Sequence, residues 1–100
     1  MLVSVYCKDA QGGAEARQSK LAEHLRHIET IEDKIKVAGP VVGPDGKEPV
    51  ASLLIFEVDS VGEANELMKA DPYYQAGVWQ EINIQEYKGV VGSWVGGKTW

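Results

Sequence analysis

The sequence predicts an α+β domain of ferredoxin-like βαββαβ topology, in which two helices cover one face of a four-stranded antiparallel sheet. Strand-like and helix-like hydrophobic periods alternate along the chain, and 100 residues suit one domain. The order strand, helix, strand, strand, helix, strand is the split βαβ pattern. Because two helices cover only one face of such a sheet, the other face needs a partner, and a second copy of the chain is the simplest one.

The first strand and the first helix follow from their apolar spacing. Residues 2–8 are rich in β-branched and aromatic side chains, and Val3, Val5 and Cys7 fall on one face of the strand. Residues 14–32 predict a long helix, since apolar side chains recur at steps of three and four. The members of this stripe are Leu21, Leu25, Ile28 and Ile31.

The middle of the chain predicts two strands. Residues 34–38 begin with the alternation of a half-buried strand, and Gly39-Pro40 is expected to end it. Residues 41–49, with their glycines and prolines, predict a long connection. Residues 50–58 form a near-continuous apolar run, which is typical of a central strand covered on both faces.

Helix-start signals mark the second half of the chain. Ser60 is a helix N-cap, and Glu63 three residues later completes a capping box. That helix is expected to run to about Ala70. Asp71-Pro72 then starts a short helical turn, since Asp is a preferred N-cap and Pro fits the first helical position.

Residues 78–87 predict the fourth strand, whose side chains alternate between its two faces. We assign the even-numbered side chains to the face that the helices cover and the odd-numbered ones to the open face. The helix-facing set is Val78, Gln80, Ile82 and Ile84, and the open-face set is Trp79, Glu81, Asn83, Gln85 and Tyr87.

The chain divides into a domain, 1–88, and a C-terminal tail, 89–100. The tail is too apolar to stay free in water, so we expect it to pack on the dimer partner. Its apolar residues are Val90, Val91, Trp94, Val95 and Trp100.

Composition excludes several classes of function. The net charge is −5, with 15 acidic against 10 scattered basic residues, which argues against nucleic-acid binding. No apolar run approaches the roughly 20 residues of a membrane span, and the start lacks the basic region of a signal peptide, so a cytoplasmic protein is expected. The single cysteine, Cys7, excludes an internal disulfide and is expected to be a buried, inert thiol.

One histidine stands out on the first helix. On a helical wheel His24 falls between Ile28 and Ile31 and interrupts the apolar stripe, whereas His27 turns towards water. A half-buried imidazole suits acid–base chemistry, because it exchanges a proton near neutral pH. The same spacing also fits a boundary histidine that only packs and hydrogen-bonds. No third ligand completes a metal site with the two histidines, so no metal is expected.

Three further residues are candidates for the same site. The Asp71 carboxylate has two oxygens, so it can cap its helix and also orient His24. Arg17 lies two turns before His24 on the same helix face, where it can grip a ligand carboxylate bidentately or lie along the helix edge. Tyr73 is assigned to ligand binding, as a packing group rather than a catalyst.

Several short segments are typical of one known family. They are Tyr6-Cys7-Lys8-Asp9, Arg17 with His24-Leu25, Ala38-Gly39-Pro40, Asp71-Pro72-Tyr73 and Gly77-Val78. On these segments the chain resembles the YciI-like family of the dimeric α/β-barrel superfamily, over about residues 2–88. The Asp71-Pro72-Tyr73 segment is the most specific.

The resemblance implies a ferredoxin-like protomer whose sheets pack into a dimeric barrel around pockets that contain a His–Asp pair. That pair maps onto His24 and Asp71, and Arg17 maps onto an arginine of the family. Many relatives carry a second arginine where this chain has Leu21. This departure weakens the expectation of strong anion binding, because the neighbouring Lys20 has no guanidinium fork.

The expected function is a lyase or isomerase that uses no cofactor. Similar proteins carry out eliminations such as dehydrochlorination of aromatic-derived compounds, and neighbouring families include muconolactone isomerases and cofactor-free monooxygenases. His24 would remove a proton, Asp71 would orient the ring, and Arg17 or a backbone amide would steady the negative charge. Two alternatives stay open: a non-catalytic dimeric module that binds a small ligand, and an accessory dimer in which the His–Asp pair is only structural.

Overall fold

The computed structural model describes residues 1–100 and shows the predicted element order. The strands of the main sheet are antiparallel and lie in the order β2-β3-β1-β4, while β5 and β6 form a small separate hairpin. The elements are β1 (Leu2–Asp9), α1 (Gly13–Thr30), β2 (Ile35–Val42), β3 (Pro49–Glu57), α2 (Val61–Lys69), α3 (Pro72–Gln75), β4 (Trp79–Tyr87), β5 (Val91–Gly92) and β6 (Gly97–Lys98).

The hydrophobic core lies between this sheet and the helices. Val3 and Val5 of β1 and Phe56 of β3 are fully buried against Met68 of α2. The opposite face of the sheet is open, and Leu53 of β3 is largely exposed there. The prediction that the third strand is covered on both faces is therefore wrong for the single chain, because all of the helices pack on one side.

Strand β2 is longer than predicted. It was expected to end at Gly39-Pro40 but runs to Val42. It lies at the edge of the sheet, where the N–H group that proline lacks is not needed by a neighbouring strand. The long connection predicted after it is instead a tight turn, closed by a 2.8 Å bond from the Gly43 N–H to the Glu48 carbonyl.

A β-bulge in β4 changes the face of the sheet on which the Trp79 side chain lies. Lys8 of β1 pairs with Glu81 of β4, but the next residue, Asp9, pairs with Trp79, so Gln80 is an extra residue in β4. The extra residue reverses the alternation, and the Trp79 side chain lies in the core rather than on the open face to which the sequence assigned it.

Helix α1 is rotated relative to the predicted apolar stripe. Leu21 and Leu25 are each 47% exposed, although the spacing places them in the core. His27, expected to face water, is half-buried, and its Nε2 lies 2.9 Å from the carbonyl oxygen of Leu67. The face that meets the rest of the domain is thus turned by about 60° to 80° from the stripe, which brings His24 close to the middle of that face.

Two further features complete the fold. At the start of α2, the Ser60 hydroxyl accepts from the Glu63 N–H at 3.0 Å, as the capping-box pattern predicts. No helix combines the length and the apolar character needed to cross a membrane.

The buried thiol of Cys7 gives a first test. Burial, and secondarily the negative charge of Asp71, raise the pKa of Cys7 to about 12. At about pH 8 the thiolate fraction is then on the order of 10⁻⁴, and the residue is 0% exposed to solvent. We expect no reaction of the native protein with Ellman's reagent, and one equivalent of reaction in guanidinium chloride. Stoichiometric labelling of the native protein at this pH would contradict the burial of Cys7.

Candidate active site

A cavity of about 580 Å³ lies between α1 and the inner face of β2 and β3, and α3 closes one end of it. Its size is within the range of small-molecule sites. The exposed side chains of Leu21 and Leu25 belong to its lining, so the rotation of α1 supplies the cavity with an apolar wall. The polar and aromatic residues that line it are Arg17, Gln18, His24, Ser52, Asp71, Tyr73 and Trp79.

The structure brings His24 and Asp71 together across 47 positions of sequence. The imidazole Nδ1 lies 2.8 Å from Asp71 Oδ1 and 2.9 Å from Oδ2. An ionised carboxylate only accepts hydrogen bonds, so Nδ1 carries the proton and donates it. In the neutral ring Nε2 therefore keeps its lone pair, and it has no hydrogen-bond partner in the chain. Such a nitrogen can accept a proton from a bound molecule.

The Asp71 carboxylate also caps α3, as its position before Pro72 predicts. Its Oδ1 accepts from the Tyr73 N–H at 2.9 Å, and the residue is 1% exposed. A carboxylate this deeply buried needs several hydrogen bonds to remain charged. The helix start and the imidazole supply them together, so the structural role and the pairing role are both present.

The Tyr73 side chain fixes the plane of the imidazole. Its ring lies parallel to that of His24, with centroids 3.8 Å apart and 2° between the planes. Trp79 packs edge-on against the Tyr73 ring, with centroids 5.8 Å apart. The Tyr73 hydroxyl donates to the backbone carbonyl of Arg17 at 3.2 Å. Burial raises the pKa of this phenol, so it stays neutral and serves as a packing and positioning group.

Arg17 reaches the cavity, but the guanidinium edge formed by Nε and one terminal nitrogen is occupied. Its Nε and one terminal nitrogen each donate to the Asp9 carboxylate at 2.8 Å. Burial opposes the charge of Arg17, yet the hydrogen bond and the charge of Asp9 outweigh it and raise the pKa of the guanidinium. Arg17 is therefore a permanent cation, and the bidentate grip expected for a ligand carboxylate is made with Asp9 instead.

Two polar residues of this site, Asp9 and Ser52, were given no role from the sequence. Asp9 was named only as the end of a family segment, whereas it holds Arg17. Ser52 accepts a 2.8 Å hydrogen bond from the same terminal nitrogen of Arg17. The sequence does contain a signal for Ser52. It is a polar residue that alternates with the apolar residues Leu54 and Phe56 on the same face of the third strand.

The chain brings together no cluster of three or more His, Cys, Asp or Glu side chains that could hold a metal ion. The polar groups around the cavity are instead paired with each other. Of the buried side-chain nitrogens and oxygens, Trp79 Nε1 is the one that lacks a partner.

The sheet order and the cavity under α1 define a protomer of the dimeric α/β-barrel type. A solved structure of a Bacteroides thetaiotaomicron protein, provisionally named an antibiotic biosynthesis monooxygenase, shares this fold with a TM-score of 0.53. It is 15% identical, with 91% of this chain and 90% of that chain covered. This likeness concerns the fold alone.

The chain belongs to the YCII-related domain family, whose sequence model matches residues 1–88. The resemblance seen in the sequence is thereby confirmed. Protein YciI of Escherichia coli is 31% identical over 97 residues, which cover 90% of this chain and 99% of that protein.

A similar solved structure is that of an enzyme. The chain is 32% identical to 5-chloro-2-hydroxyhydroquinone dehydrochlorinase (TftG) from Burkholderia phenoliruptrix, with a TM-score of 0.80. The superposition covers 93% of this chain and 97% of the dehydrochlorinase, which was solved in complex with 2,5-dihydroxybenzoquinone. A homologue of almost the same length is therefore a small-molecule enzyme.

The pairing of His24 with Asp71 predicts opposite tautomers for the two histidines. Facing a carboxylate, neutral His24 carries its proton on Nδ1, whereas His27 carries it on Nε2, which faces the Leu67 carbonyl. In Asp71→Asn the amide oxygen caps Tyr73 and the amide NH₂ faces His24. We expect His24 to change to the Nε2–H tautomer, because its Nδ1 must then accept.

Nitrogen-15 NMR of the neutral rings measures both tautomers in one sample. His27 is the internal control and is expected to stay the same in the variant. Asparagine caps a helix about as well as aspartate, so the fold is retained. A His24 ring that keeps the same tautomer in both proteins would show that Asp71 serves only as a helix cap.

Proposed function

We propose that this chain is a small-molecule lyase in which His24 removes a proton from the substrate and Asp71 orients the imidazole. The observation that carries the proposal is the difference between the two nitrogens of the His24 imidazole. Nδ1 is held by a buried carboxylate at 2.8 Å, while Nε2 is left without a partner in a ring that lines the cavity. Histidines arranged in this way act as general bases in other enzymes.

The elimination proceeds by a balanced proton transfer. In the diketo tautomer of a hydroxylated ring, Nε2 takes a proton from the tetrahedral carbon next to a carbonyl, and the electrons of that C–H bond form a new double bond. The leaving group departs from the neighbouring carbon with its bonding electron pair. Asp71 stabilises the imidazolium that results, because its negative charge lies against Nδ1–H. The proton then passes to water, which restores the neutral ring.

The substrate class we propose is a small hydroxylated ring compound. The dehydrochlorinase TftG acts on such a compound and supports this choice. The cavity has room for a single ring and is walled by Leu21, Leu25, Tyr73 and Trp79, which suits a flat, partly apolar molecule. An isomerisation would need the same base, with the proton returned to a different carbon, but the similarity to TftG favours elimination.

We also infer that the chain works as a homodimer joined through the open face of its sheet. Tyr6 and Leu53 are largely exposed on that face, and Tyr87 lies exposed at its margin. Apolar surface of this kind is typical of a protein interface. The tail hairpin is exposed as well, with Trp94 83% and Trp100 74% accessible. We propose that the tail packs on the partner subunit and covers these two side chains there.

The catalytic proposal predicts a large loss of turnover in His24→Ala. The wild-type protein is expected to release chloride from 5-chloro-2-hydroxyhydroquinone, and the variant to release it about 10² to 10⁴ times more slowly, because the general base is gone. Ion chromatography measures the chloride, and titration with 2,5-dihydroxybenzoquinone measures binding separately. His27→Gln is the matched control, since it changes a histidine of the same helix that bonds Leu67 outside the cavity.

The same measurements separate the alternatives. Binding of the quinone by wild-type protein without release of chloride would replace the lyase with a ligand-binding module. Turnover in His24→Ala equal to that of the wild type would exclude His24 as the base. Absence of both binding and turnover would overturn the proposed substrate class.

The dimer is tested by its mass in solution. We expect light scattering to give twice the chain mass of 10.9 kDa. Leu53→Asp is expected to produce monomers, because it places a charge in the middle of the open face. Deletion of residues 89–100 is expected to weaken the dimer. Glu29→Ala, at an exposed position of α1, is the control. A wild-type monomer at high protein concentration would contradict the interface.

A further inference from the structure

Ser52 is the polar member of an otherwise apolar row on β3. It shares the inner face of that strand with Leu54 and Phe56, and it is 8% exposed. Its side chain belongs to the lining of the cavity that also contains His24. A hydroxyl in this position is therefore withdrawn from bulk water but open to a bound molecule.

The hydrogen bonds of this hydroxyl are incomplete. A serine hydroxyl has one proton to donate and can accept two hydrogen bonds. The Oγ atom of Ser52 accepts from Arg17 at 2.8 Å, but no group in the chain accepts the proton of Ser52. A buried donor without an acceptor is unfavourable, so this proton is free for an acceptor on a ligand.

Arg17 makes the free proton a stronger donor. A cationic donor that bonds to a hydroxyl oxygen draws electron density from it and polarises its O–H bond. The guanidinium is held in this position by two bonds of 2.8 Å to Asp9. The series of hydrogen bonds that links Asp9, Arg17 and Ser52 thus ends in a polarised hydroxyl at the cavity wall.

We propose that Ser52 donates a hydrogen bond to the substrate oxygen that becomes negative when His24 removes the proton. This inference rests on the proposed function, and it supplies the charge-stabilising group that a proton abstraction requires. It also narrows the substrate class. The substrate carries a carbonyl or phenol oxygen conjugated to the carbon that loses its proton, and Arg17 acts on that oxygen through Ser52.

The test compares Ser52→Ala with Ser52→Thr, which keeps the hydroxyl. With 5-chloro-2-hydroxyhydroquinone as substrate, we expect Ser52→Ala to lower kcat by on the order of 10²-fold with a smaller change in KM, since the bond strengthens in the transition state. Ser52→Thr is expected to retain most of the activity. Ser19→Ala, at an exposed position of α1, is the matched control and is expected to behave as the wild type.

A spectroscopic readout reports on the bond itself. The visible absorption of bound 2,5-dihydroxybenzoquinone depends on hydrogen bonding to its oxygens, so it is expected to shift between wild type and Ser52→Ala but not between wild type and Ser52→Thr. Circular dichroism checks that each variant is folded.

The outcomes distinguish this inference from the proposed function. If the wild type turns over and Ser52→Ala matches it in kcat and absorption, the role of Ser52 is overturned while that of His24 stands. Equal impairment of Ser52→Ala and Ser52→Thr would also overturn it, because packing rather than the hydroxyl would be responsible. If the wild type binds and converts neither compound, the proposed function fails and the role of Ser52 fails with it.

Discussion

The buried carboxylate of Asp71 is the constraint on which the rest of the site depends. A negative charge that is 1% exposed is stable only when donors surround it, and two elements distant in sequence supply them. The start of α3 gives a backbone N–H, and α1 gives the imidazole of His24. The hydrogen bonds to the Asp71 carboxylate therefore hold α1 against α3. The bond from His24 also fixes the tautomer of this candidate base.

A second series of polar residues lies next to Tyr73. Asp9 at the end of β1, Arg17 on α1 and Ser52 on β3 are joined by bonds of 2.8 Å. Tyr73 connects the two groups, since its ring stacks on His24 and its hydroxyl bonds the backbone of Arg17. Polar networks in a core are stabilising only when their members are satisfied. Most members are bonded within the chain, and three groups without a partner, Nε2 of His24, the proton of Ser52 and Nε1 of Trp79, belong to residues of the cavity wall.

The cavity exists because α1 does not present its most apolar side to the core. If Leu21 and Leu25 packed inwards, they would fill the space above β2 and β3. The helix is turned instead so that His24 and His27 meet α3 and α2, and the two leucines become the wall of the pocket. A well-filled core would bury more apolar surface and would be more stable. The arrangement thus gives up some packing for a binding site, which is common where function is selected.

The sequence by itself determined what depends on neighbouring residues. Hydrophobic periods defined the order of strands and helices, and the pairs Ser60 with Glu63 and Asp71 with Pro72 located two helix starts, because capping acts within a few positions. The family resemblance added the pairing of His24 with Asp71. Only the tertiary structure decided the bulge that turns Trp79 inwards, the extension of β2 through Pro40, and the rotation of α1. It also decided that Asp9 and Ser52 hold Arg17. These features depend on how elements far apart in sequence pack together, and a local period carries no information about that packing.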